Sequence, residues 1–228
     1  MSTAHNPPGR RERAKQDKRE RIMLAARELF ARYGIGGVTT QQIADEADVA
    51  IGTLYLYAST KAELLIMVQN QKFAAAIDDG LASVAAAEPP ATDGRDAVSL
   101  VMMLIRPVVV CMREHTENGR TYLHELVFGD PTEPYRREGL ALAARLEAGI
   151  STILERDAAL DTGTASLLAR VITAIMHIST TATVFLPYDD PIVLADIRDQ
   201  IAATLMTDHL TDPATHPVHP SRPLSTSL

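Results

Sequence analysis

The chain has 228 residues, is 46% apolar, carries a formal net charge of −7, and holds one cysteine, Cys111, and no tryptophan. That length and apolar share suit one generous domain or two small ones and exclude a disordered or repetitive class. A lone cysteine cannot form an intrachain disulfide, which fits a reducing compartment.

The opening residues are polar and charged with no apolar stretch behind them, unlike a secretory signal. The longest apolar run, Val98 to Met112, is interrupted by Arg106 and Pro107. It is shorter than the roughly 20 residues a membrane span needs. The expectation is a cytoplasmic protein with no membrane contact. Charge divides unevenly: residues 1–61 carry ten Lys/Arg against seven Asp/Glu, whereas 62–228 carry twelve against twenty-two. Seven basic residues crowd into Arg10–Arg21 against three acidic ones, either a solvated face or a polyanion-binding arm. Residues 1–14 read as a flexible basic arm, with Arg10, Arg11 and Arg13 as its candidate polyanion contacts.

Ile22, Ala25, Ala26, Leu29, Phe30 and Tyr33 recur at helical spacing, giving an amphipathic helix that stops at Gly34. Thr39-Thr40-Gln41-Gln42 is a capping box that opens a short helix through Ala47. Asp48 suits a turn that needs one left-handed residue. Thr60-Lys61-Ala62-Glu63 is a second capping box, so the element from Ala50 to Ala58 is pinned between two capped helices. Helices are expected at roughly 93–116, 120–128, 134–158, 163–186 and 191–207, separated by Glu88-Pro89-Pro90, Asn118-Gly119, Gly129-Asp130-Pro131, Asp161-Thr162-Gly163 and Pro187–Pro191. No alternating run appears, so the chain reads as all-α. Residues 209–228, rich in proline, threonine and serine, have the composition of a disordered tail.

Three short helices behind a basic N-terminus outline a helix-turn-helix domain over residues 15–60, followed by a larger helical domain over 61–208. In the third element Gly52 permits close approach, while the hydroxyls of Thr53, Tyr55 and Tyr57 suit phosphate oxygens. Leu54 is left to face inward against Leu29, Ile43 and Val49.

The stretch Ala25–Leu65 resembles the N-terminal domain of the TetR family of transcriptional repressors. The likeness rests on A-x-x-L-F-x-x-x-G, T-T-x-x-I-A, G-T-L-Y-x-Y and Lys-x-Glu-Leu-Leu. It implies that Thr39, Thr40, Thr53, Tyr55, Tyr57 and Lys61 contact phosphates and line the groove. It also implies that Ala50, Ile51, Gly52 and Leu56 face base edges. The chain departs from the common pattern with Asp48 at the turn, Ile51 and Leu56 where polar residues or histidine are usual, and Ala58 where an aromatic is usual.

A homodimer is expected, since such modules read the two halves of a palindrome. The last two helices also carry more apolar surface than one face can bury. Leu167, Leu168, Val171, Ile172, Ile175 and Ile178 stripe one; Ile192, Val193, Ile197, Ile201 and Leu205 stripe the other. The family resemblance implies that these helices pair across the two-fold axis.

A pocket for a largely apolar small-molecule effector is suggested by Met102, Met103, Arg106, Tyr122, His124, Phe128, Met176 and His177, with Cys111, Met112 and His115 nearby in sequence. Arg106, if buried, would need a carboxylate partner. No metal-ligand spacing, cofactor motif or catalytic constellation is present in the sequence. The expected function is therefore a DNA-binding regulator, a repressor released from its operator by an effector, and no enzyme. The alternative is a helical interaction or ligand-sequestering protein that keeps the fold with weak, non-specific DNA binding.

Overall fold

The computed structural model describes residues 9–87 and 97–208. The expectations for residues 1–8, for Glu88-Pro89-Pro90, for a helix beginning at 93 and for the tail from 209 fall outside that range. Among the described residues there are nine α-helices, a 3-10 turn and no strand, so the chain is all-α as its periodicity predicts. They are α1 (Arg10–Tyr33), α2 (Thr40–Glu46), α3 (Ile51–Leu54), α4 (Lys61–Ala86), α5 (Ala97–Arg113), α6 (Thr116–Phe128), α7 (Pro134–Asp157), α8 (Thr162–Thr181) and α9 (Asp190–Asp208), with the 3-10 turn at Thr183–Phe185.

Helix starts follow local chemistry. The Thr39 hydroxyl accepts from Gln42 N–H while the Gln42 side chain accepts from Thr39 N–H, closing the expected capping box on α2. At α4 only half of the second box forms. Thr60 caps the Glu63 N–H, but the Glu63 carboxylate reaches past Thr60 to the Ser59 N–H and hydroxyl. Asp48 takes the left-handed conformation, φ 51°, and its carboxylate accepts from Arg21 of α1 at 3.1 Å. Asp161 caps α8 through two backbone N–H groups.

Two apolar cores share α4. Ile22, Phe30, Ile43 and Leu54 pack with Leu64 and Leu65 from its first turns, while Ile66, Phe73 and Ile77 enter the larger core built by α5 to α9. Leu54 is fully buried, as its spacing predicts. Such a side chain contributes about 1.5–3 kcal/mol of burial free energy, so it anchors α3 despite the helix having one turn. Across the larger core α4 and α5 approach so closely that a Cβ on Gly80 would overlap the Leu104 carbonyl oxygen.

Four sequence expectations need correction. Helix α1 begins at Arg10, so Arg10, Arg11 and Arg13 stand on its first turns and not on a flexible arm. The Asn118-Gly119 pair lies inside α6, whose glycine lets the α5 carbonyl of Met112 come close. Arg106 is exposed; the buried arginine is Arg113, which donates to Asp190 at 2.8 Å and to the Tyr188 carbonyl where the α8–α9 connection covers the end of α5. Finally, Leu168, Ile172, Ile197 and Ile201 are buried within this chain, because α8 and α9 turn those faces into the core. Val171, Ile178 and Ile192 stay exposed, with Leu167 and Met206, and Ile175 is half-buried.

Candidate nucleic-acid interface and internal cavity

Helix α3 is short because Ala50–Ala58 closes on itself after Leu54. Tyr57 N–H bonds to the Leu54 carbonyl and Leu56 N–H to that of Thr53. This projects Leu56 outward, 84% exposed. Beside it the Tyr55 and Thr40 hydroxyls lie 3.1 Å apart, joining α2 to the end of α3. The Tyr57 hydroxyl instead donates to the Lys15 carbonyl at 3.0 Å, tying α3 to α1, and Lys61 donates to the Val38 carbonyl at 2.9 Å. Thr39 is occupied by its cap. Ala50 and Gly52 are exposed, Ile51 and Thr53 half-buried, and nothing lies within 4 Å of where a Gly52 Cβ would be. Ala50, Gly52, Thr53, Tyr55 and Leu56 thus leave an open segment that Tyr55 joins to Thr40, while Thr39, Tyr57 and Lys61 are engaged within the domain. Exposed Arg10, Arg11, Lys15 and Lys18 on α1 supply positive charge to this domain.

A second feature lies in the larger core. A cavity of about 160 Å3 is lined by Phe73 of α4, Val108, Val109 and Met112 of α5, Leu123, Leu126 and Val127 of α6, Leu140, Ala143 and Leu146 of α7, and Thr173, Met176, His177 and Thr180 of α8. Thr173 and Thr180 spend their hydroxyls on carbonyls within α8, which leaves His177 as the polar group facing the space. Burial holds the His177 pKa below its ordinary 6.5, so the ring is neutral near pH 7. His177 also borders an outer, more open cleft of about 390 Å3 with Glu117, Arg120, Thr121, His124, Phe128 and Thr181.

Of the residues expected to line a pocket, Met176 and His177 border the inner cavity, and His124, Phe128 and His177 the outer cleft. Met102, Met103 and Arg106 border neither. Tyr122 is fully buried and donates to Asn70 Oδ1 at 2.8 Å, with its own ionisation pushed up by burial. Asn70 in turn donates to the Tyr135 carbonyl at 2.9 Å, joining α4, α6 and α7. Burial pushes the Cys111 thiol up to about 11, which keeps it protonated near neutral pH.

Helix α6 joins the two features. At its first turn the Asn118 side chain donates to the Phe30 carbonyl and accepts from the Ile35 N–H, each at 2.8 Å, and Glu117 accepts from the Gly36 N–H at 3.1 Å. Later turns line the cavity. Sequence reading missed Asn118 because Asn-Gly marks a turn in isolation; its signal was an amide that a helix interior does not favour.

Residues 22–68 match the model of bacterial regulatory proteins of the tetR family. A 60-residue stretch is 37% identical to the HTH-type transcriptional repressor KstR of Mycobacterium tuberculosis, covering 26% of this chain and 27% of that repressor. This N-terminal domain is of the TetR family. The chain thus aligns with about a quarter of that relative's length. The whole fold is similar to Thermus thermophilus FadR, a TetR family repressor solved with lauroyl-CoA, at TM-score 0.62 and 23% identity over 88% of this chain and 100% of that one. It is also similar to a TetR-family regulator from Streptomyces coelicolor, at TM-score 0.58 and 20% identity over 84% and 96%. Within the TetR domain the unusual Ala58 is buried at 3% exposure, filling core space. The unusual Leu56 is on the open face.

Proposed function

We propose that the protein is a sequence-specific DNA-binding regulator, a repressor acting in the cytoplasm, that a largely apolar small molecule releases from a palindromic operator. The carrying observation is α6, which lines the cavity and holds the junction of α1 and α2 through Asn118 and Glu117. A ligand that needs more room than this cavity must displace one or more of its walls, α4 to α8, and a displaced α6 moves the frame of the DNA-binding face. A 160 Å3 cavity takes a group of about benzene size. A longer chain would have to widen it or run past His177 into the outer cleft beside Arg120. FadR of Thermus thermophilus, of similar fold, was solved with lauroyl-CoA, which supports acyl compounds as first candidates.

The homodimer reading is supported by the exposed stripes on α8 (Leu167, Val171, Ile178) and α9 (Ile192, Met206), which a second copy would cover. The test is fluorescence anisotropy of a protein–duplex complex titrated with n-alkanoates of rising length and with lauroyl-CoA. Release that saturates with one of these ligands, and is weakened by Ala143→Phe in the cavity wall, supports the reading. Release independent of the cavity substitution would count against it.

A further inference from the structure

The exposed face of the TetR domain is short of hydrogen-bonding groups for bases. Gln41 donates to Asp45 at 2.7 Å, and Gln42 is closed onto Thr39 by the capping box. Arg21 is held on Asp48 and Lys61 on the Val38 carbonyl. The most exposed group of this segment is apolar: Leu56 is the most exposed large apolar side chain among the described residues, and Ala50 and Gly52 of the same segment are exposed too. Its neighbours Tyr55, Thr40 and Thr53 carry hydroxyls suited to phosphate oxygens, and α1 carries the exposed cations Arg10, Arg11, Lys15 and Lys18. An isolated leucine at that exposure, in a domain whose charge favours a polyanion, calls for an apolar group on the polyanion itself. In the major groove the base edges present donors, acceptors and one apolar group, the C5 methyl of thymine.

We infer that Leu56 reads thymine methyls, so that each operator half-site holds at least one thymine whose methyl sits against this side chain. The inference rests on the proposed DNA-binding function and adds the chemistry of base selection. It makes Leu56 a specificity-determining residue that acts by methyl burial and adds to the affinity that the hydroxyls and cations of the same domain supply.

The experiment uses the full chain and the duplex it selects from a random-sequence pool. Each thymine of the selected half-site is replaced singly by deoxyuridine, which deletes the methyl and keeps Watson–Crick pairing. Wild-type binding should weaken about fourfold at one or two positions, the worth of one buried methyl. Leu56→Ala should bind the parent duplex more weakly and lose that sensitivity, whereas Leu56→Met should retain it. Position 56 is exposed, so both variants should fold, and a common thermal midpoint checks this. Uracil duplexes that bind as tightly as the parent, or an unchanged uracil effect in Leu56→Ala, would overturn the inference while leaving DNA binding intact. A pool that yields no consensus would overturn the DNA-binding reading itself, and this inference with it.

Discussion

Asn118 of α6 donates its amide to the carbonyl of Phe30 in the last turn of α1 at 2.8 Å, although the two residues stand 88 positions apart. The same side chain accepts from the Ile35 N–H just past that helix, and Asn118 is only 4% exposed. The Phe30 carbonyl also accepts from the Gly34 N–H at 3.0 Å, while the Ile35 N–H lies just past the helix end and has the Asn118 side chain as its acceptor. The larger domain thus adds a second donor, beside the Gly34 N–H, at the end of the helix that scaffolds the proposed DNA-binding face. Leu at this position keeps the branched shape and removes both bonds, which leaves the buried Ile35 N–H unpaired while the Phe30 carbonyl keeps the Gly34 N–H. The prediction for Asn118→Leu is a loss of about 1–3 kcal/mol in urea unfolding, together with weaker coupling between ligand and DNA. A variant as stable as wild type would contradict this role.

Glycine substitutions should give opposite signs at two positions. At Gly80 a methyl would strike the Leu104 carbonyl oxygen, and backbone cannot move aside cheaply. Gly80→Ala is therefore predicted to destabilise by about 1–3 kcal/mol, as overpacking does, against its helix-propensity gain. At Gly52 the space is open, so Gly52→Ala is predicted to raise stability by up to about 1 kcal/mol. The same methyl should weaken duplex binding by holding the backbone off the DNA. Thermal midpoints and anisotropy titrations on the two variants check both signs.

The two tyrosines near α3 should separate by role. Tyr57 ties its hydroxyl to α1, whereas Tyr55 is 47% exposed beside Thr40. The expected outcome for Tyr57→Phe is a stability loss of about 0.5–1.5 kcal/mol. For Tyr55→Phe it is a change within about 0.5 kcal/mol but a clear loss of duplex affinity. Equal effects of the two variants on both readouts would contradict this division.

His177 sets a pH dependence. Its folded pKa is depressed by burial, so as pH falls through 6.5 the unfolded chain takes up a proton before the native one does. The unfolded state then binds more protons, and stability is lost on acidification through that range. The prediction is that His177→Gln flattens the fall in unfolding free energy between about pH 7 and 5. An identical slope in the variant would place the titration elsewhere.

The local geometry of the proposed DNA-binding face was legible in the sequence because its determinants are local. The Thr39–Gln42 cap, the left-handed Asp48 and the inward Leu54 each follow from residues within a few positions of one another. Residues 10–14 of the expected arm are helical because charge alone does not distinguish an extended arm from a helix; Arg10–Arg13 have good helix propensity once Pro7-Pro8-Gly9 ends. The cavity was harder to read. Its lining comes from five helices, and single apolar residues such as Val108 or Leu146 look the same whether they face a void or a packed neighbour. The apolar stripes of α8 and α9 were visible, but the sequence did not divide them into the half that fills this chain's core and the half left outside.

Everything proposed for this protein depends on its TetR domain reading a particular DNA sequence. The most direct measurement is selection of bound duplexes from a random pool by the purified full chain at about 0.15 M salt. The predicted result is a two-fold symmetric consensus whose half-sites, each containing thymine, lie about 10 base pairs apart or a multiple of that. Binding without a consensus, weakening with salt equally for every sequence, would contradict it.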